Sequence, residues 1–233
     1  MTALVLQARI DSSRLPGKSL LPLGGRPLIF RVMEAFSSFP FEAKILACPE
    51  DSAESFAPLA YEAGFTLITG PKEDVLERYC IVIRKTGAHR IVRATADNPF
   101  VFVDAAVALN DEAVALGADY AGYSGLPYGA GIESVASEAL LRAGKEAETQ
   151  AEREHVCPYI YNHPELFLLH RPLAPQKWQG ADYKITVDTA DDYRNAQNLY
   201  DELLSLPREE RNLGKNIIKT YTRLLEKEAE KRK

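Results

Sequence analysis

The feature that most constrains the fold is an alternation of short apolar segments with segments of helical periodicity. Predicted strands at 3–8, 43–49, 65–70 and 89–95 alternate with predicted helices at 27–39, 51–64, 72–87 and 103–117. Strands and helices that alternate at this spacing are typical of βαβ units, in which neighbouring strands run parallel. A chain of 233 residues suits one domain of this kind. The sequence therefore predicts an α/β protein, a single domain over 1–233 with a mostly parallel sheet flanked by helices.

The alternation ends near residue 118. The segment 119–134 is rich in Gly and Tyr and has no helical period, which predicts a long functional loop or a β-excursion. The patterns further predict a cap at Asp51, a helix at 136–148, a short helix within 152–167, a strand at 183–188, a helix at 189–205 capped by Thr189, and a C-terminal helix with a charged, solvated end.

Charge and composition exclude several classes of protein. The formal charge of −5 argues against a general nucleic-acid-binding protein, which usually has a broad basic surface. The first apolar run, about five residues, is too short for a signal peptide, and no apolar stretch approaches the length of a membrane span. We therefore expect a cytoplasmic protein without nucleic-acid or membrane partners. Cys48, Cys80 and Cys157 lack the spacing of a zinc site, and we expect three reduced, structural thiols.

A loop rich in cations follows the first predicted strand. It resembles a Walker A phosphate loop at Gly17-Lys18-Ser19, but Ser12 stands where that motif requires glycine. Arg9 and Arg14 offer planar, forked donors, and glycine allows the backbone to approach a ligand closely. The loop therefore indicates an anion site at the end of the strand, and the alternative is an exposed loop whose cations are merely solvated.

Carboxylates follow two predicted strands that are distant in sequence. Polar clusters at 7–18, 69–74 and 95–98 all come at the ends of strands, where ligands bind in parallel sheets. Asp97 ends one strand and Asp188 ends another, and a pair of carboxylates is a suitable partial ligand set for Mg²⁺. The alternative for Asp97 is a cap on the following turn.

The segment 152–164 mixes charged and aromatic residues. His155 could bind an anionic or hydroxylated substrate, and Arg153 could bind a carboxylate. An equally open alternative is an amphipathic helix whose Tyr159 and Tyr161 form a subunit contact. His155, His163 and His170 are seven or more residues apart, which does not indicate a zinc site.

Several of these segments together resemble a known family. The sequence "QARIDSSRLPGKSLLPLGGRPLIFRV" (7–32) is similar to the signature of the cytidylyltransferases that activate acidic sugars, the CMP-sialate and CMP-KDO synthetases. Gln7 and five shorter segments resemble the branch named for spore coat polysaccharide biosynthesis protein F. These segments are "EDVLERY" (73–79), "RATADNPF" (93–100), "SEAL" (137–140), "EREHVCPYIYNHPE" (152–165) and "TVDTADDY" (186–193).

The resemblance implies a Rossmann-like nucleotidyltransferase fold, CTP as a substrate, Mg²⁺ as the cofactor and a homodimer. It implies an excursion at 119–170 that serves substrate binding and dimerisation. By position, the implied nucleotide-binding residues are Gln7, Ala8, Arg9, Ser13, Arg14, Gly17 and Lys18. Arg14, Lys18 and Asp97 would be catalytic, Asp97 and Asp188 would bind the metal, and Glu133, His155 and Tyr159 would bind the substrate.

The implied reaction transfers CMP from CTP to an acidic, keto-acid sugar and releases pyrophosphate, for the biosynthesis of a surface polysaccharide. Two departures from the family pattern are present: the first should leave the metal ligand usable, and the second lies on the sugar side and concerns the substrate more than the chemistry. Ala96 replaces the usual glycine before the metal-binding aspartate, and Gly131 replaces an aspartate in the segment 129–134. Two alternatives stay open: a nucleotidyltransferase for another base or a phosphorylated acceptor, and a non-catalytic nucleotide-binding subunit of a polysaccharide pathway.

Overall fold

A computed structural model describes residues 1–12, 14–37 and 39–231. Within these ranges, the main sheet contains seven strands in the order β5-β4-β1-β6-β8-β7-β9. The strands are β1 (Thr2–Gln7), β4 (Ala43–Pro49), β5 (Thr66–Gly70), β6 (Arg90–Thr95), β7 (Tyr120–Ala121), β8 (Glu133–Ala136) and β9 (Leu169–His170), and a separate hairpin pairs β2 (Pro22–Leu23) with β3 (Arg26–Pro27). In the main sheet, β8 alone among the described strands runs antiparallel to its neighbours. The predicted α/β fold with a mostly parallel sheet is confirmed.

The helices flank this sheet. They are α1 (Leu28–Ala35), α2 (Ala53–Glu62), α3 (Val75–Thr86), α4 (Val103–Leu116), α5 (Ser137–Glu146), α6 (Gln150–His155), α7 (Pro158–Asn162), α8 (Ala190–Leu203) and α9 (Gly214–Lys231). Thr189 caps α8 as predicted, in a capping box with Asp192. The prediction for Asp51 is wrong, because this residue lies within a 3-10 turn at Glu50–Ser52 that precedes α2. No described helix is long and apolar enough to cross a membrane.

The central strand β1 separates two hydrophobic cores. Leu4 and Leu6 pack into the core on one face of the sheet, whereas Ala3 and Val5 pack into the core on the other. This alternation is the period of two that a strand imposes on its side chains. Burial of each leucine stabilises the fold by roughly 1.5–3 kcal/mol. The two cores hold the carboxyl ends of β1 and β6 side by side, which fixes the loops that follow them.

The excursion after residue 118 returns to the same edge of the sheet. Because β7 runs parallel to β6 and β8 runs back antiparallel, the connection 122–132 leaves and re-enters the sheet at the edge where β1 and β6 end. As a result, Glu133 at the start of β8 lies opposite Arg93 on β6. The connection therefore borders the edge at which ligands bind in such sheets.

Two of the later predictions are corrected. The segment 183–188 is not a strand: its backbone forms one isolated bridge, between Lys184 and Tyr128, and otherwise bonds to loops. Ile185 and Val187 are buried as a strand would bury them, so the side-chain pattern was right while the hydrogen-bonded ladder is missing. The region 152–167 contains the two short helices α6 and α7, which are separated at Val156.

Candidate functional site

A cavity of about 230 Å³ lies at the carboxyl ends of β1 and β6. We call it the first cavity. Its described lining residues are Gln7, Ala8, Arg9, Ser12, Arg14, Lys18, Ser19, Val75, Arg78, Arg93, Thr95, Ala96, Asp97, Glu154 and His155. The predicted clusters 7–18 and 95–98 therefore meet. Gly17 does not line the cavity, but its φ of 65° begins the turn that carries Lys18 inward. Ser13 lies outside the described residues.

Lys18 joins the two candidate metal-binding carboxylates. Its Nζ lies 2.9 Å from Asp97 Oδ2, 3.3 Å from Asp188 Oδ1 and 2.8 Å from the carbonyl oxygen of Val187. Arg14 Nη2 donates to the same Asp188 oxygen at 2.8 Å. The structure thus brings together four of the predicted residues around one point.

Local structure holds both carboxylates in place. The backbone N–H of Val187 donates to the carbonyl of Asp97 at 3.0 Å, and the backbone N–H of Asp188 donates to Asp192 at 3.1 Å. Burial works to raise the pKa of the Asp97 carboxyl, but the Lys18 ammonium outweighs it and holds that pKa below its usual value. Asp97 is therefore an anion at neutral pH, as a metal ligand must be.

The donor set suits a hard divalent cation only in part. Mg²⁺ prefers oxygen ligands and usually takes one or two carboxylates, completing its octahedron with water and substrate phosphates. Asp97 and Asp188 supply that number. Among the described residues, no cluster of three or more acidic, His or Cys side chains could hold a metal without help. The pair fits Mg²⁺ when a phosphate ligand accompanies the ion.

Arg78 is a functional candidate that the sequence did not single out. This side chain on α3 is 3% exposed, and its Nε and Nη1 have no hydrogen-bond partner in the described part of the chain. Burial lowers the pKa of its guanidinium. A buried, unpaired cation is costly unless a ligand compensates it, so Arg78 indicates an anion or a carbonyl group in the first cavity.

Gln7 connects the first cavity to a second one. Its Oε1 accepts hydrogen bonds from Tyr79 at 3.2 Å and from Arg93 Nε at 3.1 Å. Because both partners donate, the amide oxygen must face them and the amide NH₂ remains for a ligand. Arg93 also pairs with Glu133, which accepts a hydrogen bond from Tyr120 at 2.8 Å.

The second cavity, about 250 Å³, shares the walls at Arg93 and Thr95 with the first. Glu133 lines it, but both of its carboxylate oxygens already have partners, so its main contact is with Arg93 and not with a ligand. Arg171 lines it too, and within the described ranges no acidic side chain pairs with it. Its guanidinium carbon lies 5.4 Å from the centre of the Tyr161 ring, so Arg171 is a cation of this cavity that a ligand carboxylate could still pair with.

The segment 152–164 divides between the site and the scaffold. His155 lines the first cavity. Arg153 does not bind there: it pairs with Asp74 at 2.6 Å and donates to the backbone at the end of α5. Tyr159 lines neither cavity, because its hydroxyl donates to Glu146 at 2.6 Å on the outer surface. A substrate contact by Tyr159 is therefore not supported, and the homodimer stays a prediction.

The turn between α6 and α7 has an unusual backbone. Val156 has φ 74° and ψ −57°, and Cys157 N–H donates to the carbonyl of His155 at 2.9 Å, which closes a γ-turn. A positive φ is strained for a β-branched residue. The turn places His155 at the first cavity while Val156 and Cys157 remain buried.

A mostly parallel sheet that gathers unpaired cations and a carboxylate pair at one edge defines a phosphate-binding α/β protein, the class that includes the nucleotidyltransferases. The model of the cytidylyltransferase family matches residues 3–226, and the chain belongs to this family. The sequence prediction of the family is thereby confirmed.

Individual relatives agree with this assignment. The chain is 30% identical over 203 residues to spore coat polysaccharide biosynthesis protein SpsF of Bacillus subtilis, which covers 84% of this chain and 85% of SpsF. Its fold is similar to that of a cytidylyltransferase from Leptospira borgpetersenii, with a TM-score of 0.88, 22% identity and coverage of 97% and 95% of the two chains. A CMP:2-keto-3-deoxy-manno-octonic acid synthetase complexed with CTP has a TM-score of 0.67, 17% identity and coverage of 88% and 99%.

Proposed function

We propose that this cytidylyltransferase transfers CMP from CTP to a hydroxyl of an acidic, keto-acid sugar and releases pyrophosphate, for surface polysaccharide biosynthesis. The observation that carries the proposal is the cation surplus of the first cavity. Its described lining includes five Arg or Lys side chains and two acidic ones. Two further carboxylates, Asp188 and Glu133, pair with Arg14 and Arg93, but Nε and Nη1 of Arg78 have no partner among the described residues. A triphosphate is the kind of ligand that such a surplus accommodates. The similarity to SpsF supports the polysaccharide pathway.

The proposed roles follow from the contacts. Arg14 and Lys18 would bind the phosphate oxygens of the nucleotide. Arg78 and the NH₂ of Gln7 would donate hydrogen bonds to other oxygen or nitrogen atoms of the nucleotide. Asp97 and Asp188 would hold Mg²⁺, and the bound ion would neutralise part of the negative charge of the phosphates. As the acceptor hydroxyl loses its proton to water and its oxygen bonds to the α-phosphorus, the bond between the α-phosphorus and the oxygen that bridges it to the β-phosphorus breaks. The cations stabilise the charge on the departing pyrophosphate.

The acceptor would occupy the second cavity. It adjoins the first at Arg93 and Thr95, so an acceptor hydroxyl there can approach a nucleotide in the first cavity. The guanidinium of Arg171 offers a fork of donors that matches a carboxylate. This geometry supports an acidic sugar as the acceptor. A phosphorylated acceptor is the second candidate, since the same guanidinium also matches a phosphate.

Nucleotide selectivity and acceptor class can be measured separately. Melting temperatures with CTP, UTP, GTP or ATP plus Mg²⁺ should rise most with CTP, because a preferred ligand stabilises the folded state by mass action. Pyrophosphate release with CTP should then require a keto-acid sugar and not a sugar phosphate or phosphocholine. A larger shift with another nucleotide would contradict the base assignment. CTP binding without turnover on any acidic sugar would favour a non-catalytic subunit instead.

A further inference from the structure

We propose that the ammonium of Lys18 is a built-in counter-ion for the Asp97–Asp188 pair, and that it excludes divalent cations until a nucleotide draws it away. The inference rests on the proposed function for the identity of the nucleotide. It adds a rule for loading the site: the free protein binds metal weakly, and nucleotide and metal enter together.

The geometry around Lys18 carries the inference. Three oxygens, from Asp97, Asp188 and the carbonyl of Val187, surround Nζ at 2.8–3.3 Å. Lys18 is 9% exposed and Asp188 is 6% exposed, so this ammonium has exchanged bulk water for protein oxygens. A Mg²⁺ ion on the same two carboxylates needs distances of about 2.0–2.1 Å. The ammonium fills the space between them, so the two cations compete for one position.

Charge balance explains why the nucleotide is needed. In the free protein, Lys18 and Arg14 neutralise the two carboxylates. If a divalent cation replaced Lys18 without a nucleotide, the displaced ammonium would join Arg9 and the buried Arg78 in the same cavity, where Nε and Nη1 of Arg78 have no partner in the described part of the chain. A triphosphate supplies the negative charge that accepts Lys18. Nucleotide binding and metal binding must then strengthen each other by the same factor.

The chain also contains a matched comparison for this arrangement. Lys72 bridges two aspartates as well, with Nζ 2.6 Å from Asp11 and 2.8 Å from Asp51. Its side chain is 41% exposed, and both carboxylates are about half exposed, so water already solvates this pair. Removal of Lys72 should therefore leave carboxylates that hold a divalent cation only weakly. Removal of Lys18 should leave two adjacent negative charges, on the buried Asp188 and on Asp97, whose side chain is 32% exposed, and this pair should attract one.

The first test measures Mn²⁺ binding by electron paramagnetic resonance, without turnover. The wild-type protein should bind Mn²⁺ at least about 10-fold more tightly with CTP than alone, a factor within the usual range of coupling between sites. In the absence of nucleotide, Lys18→Met should bind Mn²⁺ at least about 10-fold more tightly than wild type, because no ammonium competes. Lys72→Met should match wild type, and Lys18→Met/Asp188→Asn should lose the gain.

The second test measures thermal unfolding. Lys18→Met should melt below wild type without metal and recover with Mg²⁺, whereas Mg²⁺ alone should leave wild type unchanged. Equal Mn²⁺ affinity in Lys18→Met and wild type would overturn the proposal. So would tight Mn²⁺ binding by nucleotide-free wild type, a measurement that needs no variant. If UTP or GTP but not CTP strengthened Mn²⁺ binding, the loading rule would stand and the proposed base would fail.

Discussion

Two charged regions at the same edge of the sheet differ in how their cations are paired. In the first cavity, Lys18 is buried between two carboxylates, and Nε and Nη1 of Arg78 are buried with no partner among the residues that the structure describes. In the groove beyond β4 and β5, Lys72 is paired with Asp11 and Asp51 in contact with solvent. Both regions follow parallel strands, and the sequence predicted both as polar clusters at strand ends.

The difference shows that position at the edge of the sheet does not by itself define a site. Exposed ion pairs satisfy each other, gain little stability and leave nothing for a ligand to neutralise. A buried guanidinium without a partner lowers the stability of the free protein, and an anion that binds to it compensates the buried charge. This contrast supports the proposal that the first cavity is the binding site and that the groove at Lys72 is surface structure.

The largest effect is expected at Asp97. Asp97→Asn keeps the shape of the side chain but removes the charge that faces Lys18, so turnover should fall at least about 100-fold while the protein stays folded. Pyrophosphate release and circular dichroism measure the two properties. Wild-type pyrophosphate release by this variant would show that the carboxylate pair is structural, like the aspartates around Lys72.

Arg78→Met tests the unpaired cation. Nucleotide affinity should fall roughly 10- to 100-fold, since a hydrogen bond to a charged group contributes about 1.5–3 kcal/mol. The melting temperature without nucleotide should stay the same or rise, because the variant no longer buries an uncompensated charge. Calorimetric titration and thermal unfolding report the two effects. A fall in stability with unchanged nucleotide affinity would mean that Arg78 is a scaffold residue.

Acid unfolding should reveal the contribution of the Lys18–Asp97 ion pair to stability. Because Lys18 holds the pKa of Asp97 below its usual value, this ion pair stabilises the fold fully above the ordinary carboxyl pKa of about 3.9. That stability is lost as the pH falls through the lowered value. Melting temperatures between about pH 2.5 and 6 should therefore fall less steeply in Asp97→Asn than in wild type. Parallel curves would argue that other carboxylates dominate the acid transition.

The smallest effect is expected at Lys72. Lys72→Met breaks two solvated ion pairs that do not include Asp97 or Asp188, so nucleotide affinity, turnover and melting temperature should stay near wild-type values. The same three assays apply. A large loss of nucleotide affinity would extend the binding site into the groove and erase the distinction between the two regions.

The sequence predicted the frame of the fold well, because strands and helices with one buried face leave a period in the chain. The strands β1, β4, β5 and β6 all fall within one residue of their predicted starts. The strand predicted at 183–188 was wrong because the prediction used only this period. Ile185 and Val187 are buried with the period of a strand, but their backbone groups bond to loops. Burial leaves a pattern in the sequence, whereas the partner of each backbone group does not.

The site was predictable to the extent that its residues belong to family motifs. Lys18, Asp97 and Asp188 were predicted from their positions after strands and again from the family motifs, and the structure brings them together. Arg78 lies inside a matching motif, yet its sequence neighbours cannot show that it lacks a partner. Glu133 and Tyr159 were assigned to the substrate, but Arg93 and Glu146 respectively occupy their polar atoms. These pairings depend on tertiary contacts between distant segments.

The connection 122–132 has a consequence for how the protein can diversify. It joins the neighbouring strands β7 and β8 at the edge that carries the site, and it lines the second cavity. It is also bonded to the segment that leads to Asp188, because Tyr128 exchanges backbone hydrogen bonds with Tyr183 and Ile185. A change in this connection therefore alters the lining of the second cavity and the support of Asp188 together, so the two proposed substrate sites cannot diversify independently.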